Sequence, residues 1–103
     1  MNTQHLQYII EIERTRSISQ AAENLFLGQP NLSRILHDLE ESLGFRIFER
    51  TSRGVRPTER GARFLKHARN MLREMERDFE GFSKAVRLVM QDAAKGALSG
   101  VHG

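Results

Sequence analysis

The sequence predicts a mainly α-helical fold with three short helices, a β-hairpin and a long fourth helix. Three observations support this prediction. Apolar residues recur at helical spacing before residue 44, β-forming residues flank a turn at 51–54, and a seven-residue apolar repeat follows. The chain has 103 residues, the length of one domain, and is 39% apolar and 28% charged. This composition is typical of a soluble folded protein.

The first two helices are predicted from apolar spacing and a capping signal. A helix over residues 3–15 carries on one face the apolar side chains Leu6, Ile9 and Ile10. Ser17 is a suitable N-cap for the second helix, and Gln20 would complete a capping box. The apolar stripe of the second helix consists of Ile18, Ala21, Ala22, Leu25 and Phe26. This helix is expected to stop at Leu27 and Gly28.

Glycine and proline mark the limits of the third helix. Gly28 can end the second helix or cap the third. Pro30 suits the first turn of the third helix, because the N–H that proline lacks is not needed there. The buried stripe is predicted to consist of Leu32, Ile35, Leu36, Leu39 and Leu43. Gly44 is expected to terminate this helix.

A small hairpin is predicted between the third and fourth helices. Residues 45–50 are rich in β-forming side chains, residues 51–54 are turn-like, and residues 55–57 can return as a second strand. Pro57 restricts that strand to an edge or its own end. Thr58 is a plausible N-cap for the fourth helix.

The fourth helix, over residues 58–90, carries an a/d heptad pattern and would reach about 48 Å. A small domain cannot cover so long a stripe, so the pattern favours a dimerisation helix. The alternative is a helix that folds back onto its own domain. The predicted dimerisation residues are Leu65, Ala68, Leu72, Met75, Phe79, Phe82, Val86 and Val89. Residues 91–103 lose the periodicity, gain three glycines, and are interpreted as a flexible end or hinge.

Positive charge is concentrated in one part of the chain. The formal net charge is +3, yet residues 44–73 contain nine Arg or Lys and only two acidic residues. Thirteen of the sixteen basic residues in the whole chain are Arg, whose planar fork suits phosphates and base edges. The segment indicates a polyanion partner or, equally, a solvated helix face.

Several function classes are disfavoured. The chain has no Cys, and its four His residues are scattered without metal-ligand spacing, so we expect no disulfide, no metal, no cofactor and no catalytic site. No apolar run approaches the roughly 20 residues of a membrane span. The N-terminus lacks the pattern of a signal peptide, so a cytoplasmic location is expected.

The order of predicted elements is that of a winged helix-turn-helix, in which the third helix enters the major groove of DNA. Its apolar stripe leaves polar side chains uncovered, namely Gln29, Asn31, Ser33, Arg34, His37, Asp38 and Glu41. Gln and Asn can pair with adenine edges, Arg with guanine, and Ser with a phosphate or a base. Arg53 and Arg56 could reach the DNA backbone or minor groove. The alternative is a winged interaction module that binds no DNA.

The chain resembles the N-terminal DNA-binding domain of LysR-type transcriptional regulators over about residues 3–90. The motifs that carry the resemblance are Ser17-x-x-x-Ala21-Ala22-x-x-Leu25, Gln29-Pro30-x-Leu32-Ser33, Leu36-x-x-Leu39-Glu40-x-x-Leu43-Gly44, Phe48-x-Arg50, Arg53-Gly54 and Pro57-Thr58-x-x-Gly61. Another winged-helix DNA-binding family is a further alternative.

This resemblance implies a homodimer that binds an inverted-repeat operator through its third helices, with the long helices paired antiparallel. It implies base or phosphate contacts for Gln29, Pro30, Ser33 and Arg34, and wing contacts for Arg50 and Arg53. Residues 96–101 look like the opening of the family's effector-binding domain, so we expect the chain to be a fragment that senses no small molecule by itself.

Three positions depart from the usual pattern of the family. Gly28 replaces a usual Ser or Thr, which removes a hydroxyl that could contact phosphate. Asn31 replaces a usual Ala, and its amide could set a sequence preference of this chain's own. Arg60 replaces a common Ala and adds a possible phosphate contact. The predicted domains are 1–58 for DNA binding, 58–90 for dimerisation and 91–103 for the tail.

Overall fold

The computed structural model describes the backbone of residues 1–102 and the side chains of residues 1–93. Its elements, in chain order, are α1 (Thr3–Thr15), α2 (Ile18–Asn24), α3 (Gln29–Leu43), β1 (Phe48–Thr51), β2 (Gly54–Pro57) and α4 (Glu59–His102). The two strands form an antiparallel hairpin. The predicted fold class and element order are therefore confirmed. The chain divides into two units, Met1–Leu72 and Arg73–Gly103.

The predicted cap of α2 is present, but the capping box is only half formed. The Ser17 hydroxyl oxygen accepts a hydrogen bond from the Gln20 backbone N–H at 3.1 Å. The Gln20 side chain instead donates to the Asn24 side-chain oxygen at 2.9 Å. The Ser17 backbone N–H donates to the Thr15 hydroxyl at 3.3 Å. A local acceptor before the helix thus takes the place of the reciprocal bond.

The prediction that Phe26 belongs to the buried stripe of α2 is wrong. This helix ends at Asn24, and Phe26 adopts a left-handed backbone conformation with φ 58°. The N–H groups of Phe26 and Leu27 donate to the carbonyls of Glu23 and Ala22, at 3.2 Å and 2.8 Å, in a Schellman arrangement. This turn changes the direction of the chain and leaves the Phe26 side chain 96% exposed.

Helix α3 begins and ends where glycine was expected. Gly28 is its N-cap, Pro30 lies in its first turn, and Gly44 ends it with a φ of 80°. Three residues of the predicted stripe are buried, and two are half-buried. The buried ones are Leu32, Leu36 and Leu39, and the half-buried ones are Ile35 and Leu43.

The hairpin, hereafter the wing, is shorter than predicted. Phe48 pairs with Pro57 and Thr51 with Gly54, so Ser52 and Arg53 form a two-residue turn. The first strand starts at Phe48 rather than residue 45. Phe45 lies outside the hairpin, and its ring packs edge-on against Phe64 of α4 at a centroid distance of 6.0 Å. Pro57 ends the second strand as expected.

One hydrophobic core holds the first unit together. It draws on α1, α2, α3, the wing and the first three turns of α4. The fourteen buried apolar residues are Leu6, Ile9, Ile12, Ile18, Ala21, Ala22, Leu32, Leu36, Leu39, Ile47, Phe48, Val55, Leu65 and Ala68.

Helix α4 begins after Thr58, whose hydroxyl accepts the Gly61 backbone N–H at 2.9 Å, as predicted for an N-cap. Its expected end near residue 90 is wrong, because the helix continues to His102. The chain has no proline after Pro57, and glycine costs a helix only about 1 kcal/mol relative to alanine. The likeness over 96–101 concerns side chains outside the described residues, and the interpretation of 91–103 as a tail or hinge stays a prediction.

Candidate nucleic-acid interface

The start of α3 has no side-chain cap. Gly28 has extended backbone angles, with φ −69° and ψ 140°, and supplies no side-chain acceptor. Its carbonyl accepts the N–H groups of Asn31 and Leu32, each at 3.1 Å. A helix N-terminus carries a partial positive charge, so this end of α3 suits a phosphate.

The predicted recognition residues of α3 lie together on one exposed face. The exposed members are Gln29, Pro30, Asn31, Arg34 and His37, and Ser33 beside them is half-buried. The opposite face of the same turns carries Leu32 and Leu36, which are buried in the core. Helical periodicity thus fixes which side chains remain available to a partner.

Three of these side chains already have partners on α3. The Arg34 guanidinium donates through Nη2 to Asn31 Oδ1 at 2.6 Å. His37 Nε2 lies 3.5 Å from Glu41 Oε1, and both side chains are about 70% exposed. Exposed contacts of this kind contribute little to stability, so a partner can compete for His37.

A groove of about 120 Å³ lies between α3 and the wing. Its lining brings Ser33 and His37 of α3 together with Arg50 of β1. Arg46, which was not among the predicted contacts, lines the same groove. The charged side chains of this concave surface are the basic Arg46 and Arg50 and the acidic Glu40 and Glu49.

The arginines of the wing differ in whether they form an ion pair. Arg53 lies exposed in the two-residue turn, and Arg50 is exposed on the first strand. The Arg56 guanidinium instead forms an ion pair with Glu49 directly across the hairpin, at 2.6 Å. The Arg56 side chain is still 65% exposed, so the pair does not remove it from the surface.

Glu40 connects α3 to the start of the wing, a role that was not predicted from the sequence. Its Oε2 accepts the backbone N–H groups of Ile47 and Phe48, at 2.6 Å and 3.2 Å. Ile47 is completely buried, so its N–H group has no access to water. The only sequence signal was Glu40 itself, in the motif that the resemblance rests on.

Two glycines allow the wing to pack closely on its neighbours. A Cβ atom at Gly54 would lie 2.2 Å from the Arg16 carbonyl oxygen, and φ at Gly54 is 145°. Next to it, the Val55 N–H donates to that same carbonyl at 3.0 Å. A Cβ at Gly61 would lie within van der Waals radii of the Ile47 carbonyl. Both glycines are therefore required by close approach. Gly54 lets the wing pack on the loop before α2, and Gly61 lets α4 pack on the residue before the wing.

The predicted dimerisation residues separate into two groups. Leu65 and Ala68 are buried in the core of their own chain, so their assignment to a subunit interface is wrong. Leu72 packs against that core but is only half-buried, and its assignment stays a prediction. The heptad spacing could not distinguish these uses, because a core face and a dimer face share the same period. The remaining members, hereafter the apolar row, are exposed: Met75, Phe79, Phe82, Val86 and Val89.

Over the described residues, no helix is long and apolar enough to cross a membrane. Among the same residues, no three His, Asp or Glu side chains are grouped as metal ligands would be.

Three helices, a hairpin wing packed on them, and a polar face at the start of α3 define a winged helix-turn-helix domain. The family described as "Bacterial regulatory helix-turn-helix protein, lysR family" matches residues 3–62. This match covers more than half of the chain, and the chain belongs to that family. The resemblance seen in the sequence is confirmed.

The relatives of this chain are transcriptional regulators. It is 42% identical over 72 residues to the HTH-type transcriptional regulator GbpR of Azospirillum brasilense, covering 70% of this chain and 21% of GbpR. It is 42% identical over 76 residues to the nitrogen assimilation regulatory protein nac of Klebsiella aerogenes, covering 74% of this chain and 25% of that protein. The chain thus spans about a quarter of the length of these relatives.

Solved structures with the same fold include DNA complexes. The BenM DNA-binding domain bound to benA site 1 DNA superposes with a TM-score of 0.79 at 32% identity, covering 84% of this chain and 97% of that one. The CbnR DNA-binding domain in complex with DNA gives 0.76 at 31% identity, covering 84% and 99%. The fold and the family are therefore established together.

Proposed function

We propose that this chain binds double-stranded DNA sequence-specifically, as the DNA-binding domain of a LysR-type transcriptional regulator that acts as a homodimer on an inverted-repeat operator. The observation that carries the proposal is the exposed face of α3, which presents forked and amide side chains beside an uncapped helix N-terminus. DNA complexes of BenM and CbnR domains with the same fold support it.

The first turns of α3 are suited to the major groove. Gln29 and Arg34 carry the hydrogen-bonding groups that pair with adenine and guanine edges, respectively. The partial positive charge at the start of α3 is suited to a phosphate, and so is the half-buried Ser33 hydroxyl. In this proposal Pro30 packs against the DNA, because its ring makes only apolar contacts.

The wing and the groove beside it are suited to the sugar–phosphate backbone. Arg50 and Arg53 are exposed and cationic, and they extend the basic surface away from α3. Arg56 can exchange its exposed partner Glu49 for a phosphate at little cost. His37 lines the groove between the two elements and would contact the same strand. These contacts supply affinity, whereas α3 supplies sequence preference.

The apolar row on α4 favours a second copy of the chain as its partner. Phe79, Phe82 and Val89 are each at least 66% exposed, and a continuous exposed apolar surface of this kind marks an interaction site. A two-fold dimer presents two copies of α3, which predicts an inverted repeat with half-sites about one helical turn, or a multiple, apart.

The whole regulator would have functions beyond this DNA-binding region. The relatives are about three times as long as this chain, and a small-molecule effector would bind outside the region matched here. We propose no enzymatic role for a member of a family of regulators. The proposed partner is the bacterial chromosome, which places the regulator in the cytoplasm.

The test is selection from a randomised duplex library with the purified chain at two salt concentrations. We expect an enriched inverted repeat and an affinity that falls as salt rises, because bound phosphates release counterions. Salt-sensitive binding without an enriched motif would contradict sequence specificity. No binding at low salt would instead favour a winged interaction module.

The Arg34→Ala variant tests base reading separately. We expect a loss of about 1–3 kcal/mol on the selected operator and relaxed preference at one base pair per half-site. The matched control is Arg77→Ala, which removes an exposed arginine from α4 outside the proposed interface. Equal losses on operator and random DNA would reassign Arg34 to phosphate binding.

A further inference from the structure

A neutral side chain holds the arginine that is best suited to read DNA. Arg34 Nη2 donates to Asn31 Oδ1 at 2.6 Å, between two exposed residues one helical turn apart. We propose that Asn31 is a positioning residue for Arg34 and thereby sets how strongly this domain prefers guanine at one base pair. This inference rests on the proposed function, because it requires that α3 enters the major groove.

The contact leaves Arg34 able to read a base. A guanidinium has five N–H donors, of which the bond to Asn31 uses one. Bidentate recognition of guanine O6 and N7 needs two. An unrestrained arginine loses much rotamer freedom on binding, and a side chain that is already oriented loses less. Asn31 therefore favours the reading geometry without consuming the donors that read.

Asn31 orients Arg34 without neutralising it. Arg56 provides the contrast, since its partner Glu49 is a carboxylate that repels phosphate and must give way when DNA arrives. The amide of Asn31 carries no charge and does not oppose DNA. Within the described residues, Arg34 forms no ion pair, so its full positive charge remains available to the groove.

The chemistry of the pair fixes the orientation of the Asn31 amide. Arg34 can only donate, so the oxygen of Asn31 faces it and the amide NH₂ lies on the other side of the planar group. Substitutions can therefore separate two roles. Alanine removes both the acceptor and the NH₂ group, whereas aspartate keeps an acceptor for Arg34 but loses the NH₂ donors.

The experiment begins with the operator selected by the unaltered chain. Arg34→Ala identifies the base pair that Arg34 reads, as the position where discrimination between guanine and adenine disappears. A bidentate arginine gives roughly 5- to 150-fold discrimination. We expect Asn31→Ala to lower it at that base pair by about threefold or more, with little change on random DNA.

Two further variants show whether Asn31 acts through Arg34. Asn31→Asp should retain most of the guanine discrimination while weakening binding to every duplex, because its charge repels phosphate. In the Arg34→Ala background, Asn31→Ala should cause no further loss at that base pair. Asn70→Ala, an exposed Asn on α4, is the matched control and should leave discrimination unchanged.

Each contrary result has a distinct meaning. Undiminished discrimination in Asn31→Ala overturns the positioning role, provided that the unaltered chain selects a motif. If Asn31→Ala still lowers discrimination at that base pair in the Arg34→Ala background, Asn31 reads the base itself. This result also overturns the positioning role. If the unaltered chain selects no motif, the proposed function fails and this inference fails with it. Thermal unfolding of Asn31→Ala should match that of the unaltered chain.

Discussion

Residues 1–72 and residues 73–93 use apolar side chains in opposite ways. The first unit buries fourteen apolar residues in one core, whereas among residues 73–93 every large apolar side chain is at least 40% exposed. The first unit therefore contains the contacts that stabilise it, and the second has apolar surface that the described part of the chain leaves exposed. Substitutions in the first unit should change unfolding, and those in the second should change association.

The largest expected effect concerns the apolar row. Phe79→Asp would place a carboxylate in the proposed subunit interface, and we expect the dimer dissociation constant to rise by about a hundredfold or more. Sedimentation over a range of protein concentrations measures this change. Arg77→Asp introduces the same side chain at a neighbouring position outside the row and should leave the dimer intact. A dimer that persists in Phe79→Asp would show that the apolar row serves another purpose.

The next effect lies in the core that α4 shares with the first unit. Leu65 is completely buried, so Leu65→Ala should lower the free energy of unfolding by about 2–5 kcal/mol. Urea denaturation at one fixed protein concentration measures this loss. The control Leu88→Ala makes the same change at a side chain that is 52% exposed, and it should cost less than about 0.5 kcal/mol. Similar losses in both variants would contradict the division between the two units.

A smaller effect is expected at the connection between α3 and the wing. Glu40→Ala should cost about 1–3 kcal/mol, because it leaves the buried Ile47 N–H without its acceptor. Glu40→Gln keeps a neutral acceptor and should cost less. The neighbouring and exposed Glu41→Gln is the control. Denaturant unfolding gives the comparison, and an unaffected Glu40→Ala would mean that the wing does not depend on this carboxylate.

The smallest effect is a pH dependence. The Arg14 guanidinium, bonded to the Glu11 carboxylate through two nitrogens at 2.6 Å, lowers the pKa of Glu11 from 4.5 to about 2, and a hydrogen bond from Asn24 adds to this. Because the folded-state pKa lies below the unfolded value, the stabilisation is present above about pH 5 and is lost as pH falls toward 2. The pair is near the surface, so the loss should be under about 1 kcal/mol.

Glu11→Gln provides the measurement for this pair. It should flatten the dependence of stability on pH between about 5 and 2, as followed by thermal unfolding. Arg14→Gln, which removes the partner, should flatten the same part of the curve. A curve unchanged in both variants would show that the contact has no energetic role.

The helices and strands could be predicted from local sequence signals. The turns and hydrogen bonds that connect them could not. Ser17, Gly28 and Gly44 each act on the backbone beside them, and the structure has them where the sequence placed them. The left-handed turn at Phe26 could not be foreseen, because glycine is the usual residue in that conformation. Glu40 accepts a hydrogen bond from the N–H of Ile47, seven residues later, and the periodicity of the sequence does not predict such a contact.

The candidate site shows the same difference between local pattern and packing. The exposed face of α3 could be predicted from helical spacing. Asn31 could be predicted to matter for sequence preference, because it replaces the Ala that is usual in the family. The bond from Arg34 to Asn31 was not foreseen, because both side chains could equally have pointed to solvent. Leu65 and Ala68 were misassigned for a related reason, since spacing identifies an apolar face but not what covers it.

The exposed Phe26 has a practical consequence for spectroscopy. The chain contains no Trp and a single Tyr, so it emits no tryptophan fluorescence of its own. The Phe26 side chain is 96% exposed and lies two residues before the cap of α3. A tryptophan substituted there would be the sole indole in the chain, and its emission would report events at α3 without background from any other tryptophan.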